Sequence, residues 1–306
     1  MTDVRQGATV GNVRRAAAAL LSFSFVLAAP AARAADPLAS PWREIAPGVL
    51  AASGGDIGAD PRWGARVVLV DPAQARLSVQ FDATTPRLEE WRARFPTALL
   101  IANGSFYSLE QTVRPTCDLV SAGQLVHGAG CRVKDALFLG ARARNPDGQR
   151  PRILAPSEFL AADWSEALKS FPALVRAGEP ACLVAGYCTE SSRTGAVAVL
   201  RDGRLLFFAT QWPAVRREVA QFLAEEMGAV DALNLDGGPE ATLALRGEPL
   251  AESVATPGTP LPLVIALMPL EPRPAAPVKP AAPATPPKSP DPKADPAKLD
   301  LAKHTK

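Results

Sequence analysis

The sequence predicts a mixed α+β fold: one mixed-sheet domain of about 235 residues with few helices. Three observations carry that prediction. Short apolar runs of strand length recur from residue 66 to residue 268, only three segments show helical signals, and no repeat or composition break divides the body. In chain order the strand-like runs are Arg66–Val70, Arg76–Phe81, Ala98–Ala102, Ala136–Leu139, Ala196–Leu200, Leu205–Ala209, Val230–Leu235, Ala241–Leu245 and Leu263–Met268. Among the helices, Pro86–Phe95 opens with proline at a first helical position, and Ser157–Ser170 begins with a capping residue. Pro213–Met227 is the clearest, because Val215, Val219, Phe222, Leu223 and Met227 form a stripe at helical spacing and Gly228 is placed to end it. That stripe predicts core packing. Arg201-Asp202-Gly203-Arg204, between two apolar runs, predicts a hairpin turn.

The flanks predict where the body works. Arg5, Arg14 and Arg15 precede a small and apolar run from Ala16 to Ala29, and Ala32-Arg33-Ala34 supplies a small-x-small cleavage site. Residues 1–34 therefore read as a secretory signal peptide, too short to stay as a transmembrane anchor, and the expected address is periplasmic or secreted. The Arg14-Arg15 pair leaves the export route open. At the other end, residues 271–306 are rich in proline, alanine and lysine and cannot bury enough apolar surface to fold, so a disordered tail is expected. Of 33 Lys and Arg and 31 Asp and Glu, seven and four fall in the tail and four and one in the signal. The body at 35–270 keeps 22 basic and 26 acidic residues. Its mild acidity argues against a nucleic-acid partner, whereas the basic tail could touch anionic envelope polymers. Cys117, Cys131, Cys182 and Cys188 form two sequence-local pairs; disulfides Cys117–Cys131 and Cys182–Cys188 are the simplest of the three connectivities, and structural zinc is the rival.

Familiar catalytic motifs are missing: no Gly-x-Ser-x-Gly elbow, no phosphate-cradling glycine-rich loop with lysine, and only His127 as a histidine in the body. Chemistry would have to come from carboxylates, amides, arginine or a hard cation. Three loops at strand ends supply them. Asn103-Gly104-Ser105-Phe106-Tyr107 joins an amide to an aromatic pair suited to sugar hydroxyls and ring faces. Ser191-Ser192-Arg193-Thr194-Gly195 offers a guanidinium among hydroxyls, fit to grip a phosphate. Asp236-Gly237-Gly238 presents a carboxylate in a turn open to close approach, although Asp-Gly is equally a hairpin signal.

Taken in order, these stretches resemble the phosphodiester glycosidase family from about Val67 to Met268. The resemblance rests on Ala102 to Tyr107, Asp118-Leu119 with Gly123, Phe171 to Gly178, Arg193-Thr194 before Ala196-Val197-Ala198-Val199, Asp202-Gly203-Arg204-Leu205, and Leu233 to Gly238. It implies an exported mixed α+β domain acting on sugars joined through phosphate. The chain departs from the family's usual text at Pro239-Glu240-Ala241-Thr242, where glycine and serines are usual, and at Ser105, which replaces a glycine. The resemblance leads to a sugar-1-phosphodiester or related glycan hydrolase in which Asp236 is acid, base or charge stabiliser, Arg193 holds the phosphodiester and Asn103 orients the substrate. Gly104, Ser105, Phe106, Thr194, Gly237, Gly238 and Glu240 are the expected contacts. The rival class is a non-catalytic glycan- or peptidoglycan-binding module; a third reading has Asp236 and Glu240 holding Ca²⁺ or Mg²⁺.

Overall fold

A computed structural model describes residues 40–109, 112–131, 133, 136–141, 150–182 and 186–270. The predicted signal peptide and tail lie outside the described residues. The body is built from antiparallel sheets. The largest has eight strands in the order Arg43–Ala46, Val49–Ser53, Arg66–Val70, Leu205–Ala209, Gly195–Leu200, Ala229–Asn234, Ala173–Arg176 and Glu179–Pro180. A four-stranded sheet runs Leu243–Leu245, Leu100–Asn103, Leu263–Pro269 and Ala75–Phe81, and a five-stranded one runs Arg152–Leu154, Leu137–Ala141, Glu166–Ser170, Leu119–Ser121 and Gln124–Val126.

The apolar runs are continuous because the large sheet is covered on both faces. Along Leu205–Ala209, all of it buried, Leu205, Phe207 and Ala209 enter one core cluster while Leu206 and Phe208 enter another, as the period of two requires. The first cluster joins the large sheet to the smaller two, through residues such as Leu100, Ile265, Leu139 and Leu168. In the second, Val219, Ala220, Phe222 and Leu223 cover the opposite face with Met227 at its margin, so that part of the predicted stripe is core packing; Val215 falls outside it, in the strand Ala214–Val215 that pairs with Ser191–Ser192. The four covering residues belong to the α-helix Arg216–Gln221 and the π-helical turn Phe222–Glu226 that continues it. Gly228 follows at φ 66°, the left-handed geometry that ends a helix. The other α-helix, Leu88–Arg94, buries Leu88 and Trp91 against Ile101 and Val264, and Glu90 accepts the Arg87 N–H at 2.7 Å.

All nine predicted strands are present, with ends displaced by up to two residues. The Asp202-Gly203 hairpin turn is present too, with Gly203 at φ 85°. Both disulfides pair as the simplest connectivity predicts, Cys117 with Cys131 and Cys182 with Cys188. The predicted helix over Ser157–Ser170 is wrong. Two 3-10 turns, Pro156–Glu158 and Ala161–Asp163, lead into the strand Glu166–Ser170. Leu137–Ala141 pairs with all of Glu166–Ser170 and Leu119–Ser121 pairs with Ala167 and Leu168 on the other side, and this two-sided pairing overrides the helical propensity. Its first residue, Glu166, is buried and accepts N–H bonds from Val79 at 2.7 Å and Ala122 at 3.2 Å, while Ser121 Oγ donates to the Val79 carbonyl at 2.6 Å. Val79 stands on an edge strand of the four-stranded sheet, so these bonds clasp that edge to the five-stranded sheet.

Candidate active site

The strands bring the three predicted loops to one end of the large and four-stranded sheets. Gly195–Leu200 and Ala229–Asn234 are antiparallel neighbours, so the start of one lies beside the end of the other. Across the sheet boundary, the Asp236 N–H donates to the Gly104 carbonyl at 2.9 Å, and Asn103 Nδ2 donates to the Asp236 carbonyl at 2.7 Å. The Gly238 N–H donates to the Arg193 carbonyl at 3.0 Å, and Asn103 Oδ1 accepts the Thr242 N–H at 2.9 Å. Asn103 is only 2% exposed, so its amide fixes the turn that carries the acid. Two glycines permit the approach. A Cβ on Gly195 would stand 3.0 Å from Asn103 Oδ1, and one on Gly237 would stand 2.7 Å from the Arg193 carbonyl oxygen.

Asp236 emerges half-buried from this junction. Burial pushes its carboxyl up to about 7, and the neighbouring Glu240 charge adds to the rise. The Gly237 N–H, 2.9 Å from Oδ1, and the Arg216 guanidinium oppose the shift without cancelling it. Glu240 is held by the Tyr107 hydroxyl, which donates to Oε1 at 3.2 Å; burial and the two acids push the Tyr107 phenol up, so it remains a donor. A carboxyl poised near neutrality beside a second carboxylate is equipment for proton transfer.

Two guanidinium groups flank the acids. Arg193 donates through Nε to the Thr210 carbonyl at 3.3 Å, through Nη2 to the Ala241 carbonyl at 2.7 Å, and through Nη1 to Thr256 Oγ1. These bonds use three of its five N–H groups and leave two for a ligand. Desolvation lowers its pKa, and Glu240 opposes the change. Arg216 is buried, with Nη1 on the Tyr187 carbonyl and Nη2 on Ser192 Oγ, both at 2.8 Å, and its guanidinium lies 4.3 Å from the Tyr187 ring centroid. Its Nε has no hydrogen-bond partner among the described residues. The Cys182–Cys188 disulfide closes the loop that carries Tyr187. Beside it, Phe106 stacks on Phe171 at 4.5 Å between centroids, and Phe171 lies 6.4 Å from Tyr187.

Not every predicted contact faces outward. Thr194 is fully buried, bonding through its N–H to Thr210 Oγ1 at 2.9 Å and through its hydroxyl to the Ser192 carbonyl at 3.2 Å. Ser105 is 2% exposed, and its hydroxyl has no partner among the described residues. Sequence reasoning passed over Arg216 and Tyr187. One signal was there to use: a cation in the first turn of a helix opposes the macrodipole and calls for a compensating partner. Among the described residues no group of three or more His, Cys, Asp or Glu side chains could hold a metal ion, and Asp236 with Glu240 makes only two ligands.

Comparisons place this architecture. The fold is similar to the catalytic domain of zebrafish N-acetylglucosamine-1-phosphodiester alpha-N-acetylglucosaminidase, described as auto-inhibited by its pro-peptide. The TM-score is 0.51 at 21% identity, over 67% of this chain and 76% of that one. It is also similar to a Burkholderia pseudomallei protein described as exported, with a TM-score of 0.51 at 14% identity, over 67% and 74% of the two chains. No curated protein sequence matches significantly. The family model for phosphodiester glycosidases matches residues 96–268, more than half of the sequence, and contains all three loops of the site; the chain belongs to the phosphodiester glycosidase family.

Proposed function

We propose that the chain is an exported hydrolase of sugar-1-phosphodiester linkages in cell-envelope glycans, with Asp236 as the proton-transferring group. The observation that carries this is a half-buried carboxyl held near neutrality at the junction of three loops, beside a second carboxylate and two guanidinium groups. Arg193 binds the phosphate through its two remaining N–H groups. Asn103, with both amide atoms committed, positions Asp236 and does not touch the sugar. Gly104 and Gly237 set the loop spacing, Gly238 and Glu240 line the turn, and the Phe106 face meets the sugar ring. Water attacks the anomeric carbon, the bond from that carbon to the phosphate oxygen breaks, and its electron pair leaves on the phosphomonoester. Asp236 gives its proton to that oxygen, and Glu240 takes the proton released by the water. No step is routed through Ca²⁺ or Mg²⁺.

Residues 1–34 as an export signal, the periplasmic or secreted address and the spacer role of residues 271–306 belong to the same proposal. Two disulfides and the fold shared with a protein described as exported support the address. Hydrolysis of a panel of hexose-1-phosphodiesters in ¹⁸O-labelled water tests the reaction. Label on the sugar is expected. Label on the phosphate would mean a phosphodiesterase, and no turnover with binding that survives Asp236→Asn would mean a glycan-binding module.

A further inference from the structure

A cleft of about 510 Å³ opens between the Val49–Ser53 and Arg66–Val70 strands and the Ala251–Val254 segment, and no residue assigned to the proposed reaction lines it. Its most conspicuous feature is Trp212, whose side chain is large and apolar and yet 59% exposed. The position is built. The Trp212 N–H donates to the Trp63 carbonyl at 3.0 Å, and a Cβ on Gly64, which sits at φ 54°, would stand 3.0 Å from indole Cδ1. One part of the indole therefore lies against bare backbone, and the rest meets solvent at the cleft.

The groups around it are polar and balanced in charge. Arg43 and Arg66 share the single carboxylate of Glu248, and Glu252, which also lines the cleft, offsets the second positive charge, so the cleft has no net charge to select an anion. Gln211, Glu252 and Ser53 line it too, and their side chains make no hydrogen bond within the described residues. An exposed aromatic face beside an amide, a carboxylate and a hydroxyl, all uncommitted, matches a neutral polyhydroxylated ring: C–H groups on the indole face, hydroxyls on the rim. The cleft also adjoins the candidate active site through the chain. Thr210 and Thr256, which hold the Arg193 guanidinium, lie one and two residues from Gln211 and Val254 in the cleft wall.

We propose that the Trp212 cleft is an accessory carbohydrate site that binds a hexopyranose ring of a glycan. It is a binding site separate from the reaction at Asp236, so the two proposals fail independently. The test uses the full chain carrying Asp236→Asn, so that turnover cannot consume the probe, with maltotriose, mannotriose and triacetylchitotriose titrated by saturation-transfer NMR. Saturation of the ring protons of at least one trisaccharide is expected, with a dissociation constant on the order of 10 mM or tighter. Adding Trp212→Ala should weaken binding about tenfold or more, whereas Trp212→Phe, which keeps an aromatic face, should stay within about threefold. No saturation with any of the three probes, or equal binding by the alanine variant, would overturn the assignment. So would concentration-dependent self-association abolished by Trp212→Ala, because the indole would then be a contact between copies.

Discussion

Glu166→Gln should gain stability relative to wild type progressively as pH rises from 5 to 8. Glu166 is 4% exposed, and burial pushes its carboxyl from 4.5 up to about 7, against the N–H groups of Val79 and Ala122 and the charge of Arg76. Between those two values the folded chain binds more protons than the unfolded chain, so stability falls as pH rises through the window. The full difference corresponds to at most about 3 kcal/mol. At pH 5 the variant should be the less stable by about 1–2 kcal/mol, because both Glu166 oxygens accept backbone N–H groups and the NH2 of glutamine can only donate, so one of those bonds is lost. By pH 8 the wild type carries a buried charge that glutamine lacks, and the variant should have gained about 2 kcal/mol on it relative to pH 5. Urea unfolding of both proteins with disulfides intact, at four pH values across the range, measures the difference. Asp236, which titrates in the same range, is common to both proteins and cancels. Parallel profiles, or a variant that loses ground as pH rises, would refute the assignment of a buried, proton-holding Glu166.

The other expectations concern the site. Asp236→Asn should also gain on wild type as pH rises from about 4 to 8, by at most about 4 kcal/mol, because the folded carboxyl is raised from 3.8 to about 7; chemical denaturation would show the same sign as for Glu166. If Asp236 donates its proton, kcat should fall as pH rises through about 7, and a kcat that rises through that range would assign it as a base. Gly195→Ala drives a methyl to 3.0 Å from Asn103 Oδ1 and 3.2 Å from the Asp236 carbonyl, so it should cost about 1–3 kcal/mol of stability and most of the turnover. Arg193→Ala should raise KM for phosphodiesters more than for phosphate-free analogues; equal losses would make the arginine structural.

Much of this was legible in the sequence because two-sided burial writes itself as unbroken apolar runs, which is how Arg66–Val70 and Leu205–Ala209 announce a covered sheet. The Asp236 turn was legible for a different reason: glycine after an acid marks backbone that must approach something closely, and here that partner is the Arg193 carbonyl. Glu166–Ser170 was not legible, since its alternation mixes a buried acid, a lysine and a serine, and only the free edge of Val79 gives Glu166 a reason to turn inward. Arg216 shows locally only that a first-turn cation needs a partner; that the partner is the Tyr187 carbonyl, 29 residues away, is not encoded in any local pattern. Asn103 was found for its type, but its engagement with the Asp236 and Thr242 backbone is a property of the fold.

The central claim is that Asp236 carries the proton transfer. It is tested most directly by single-turnover hydrolysis of the hexose-1-phosphodiester the wild type cleaves fastest, compared with Asp236→Asn. The account predicts a loss of about 10³-fold or more, with circular dichroism and substrate binding retained. Turnover at the wild-type rate in the asparagine variant would contradict it.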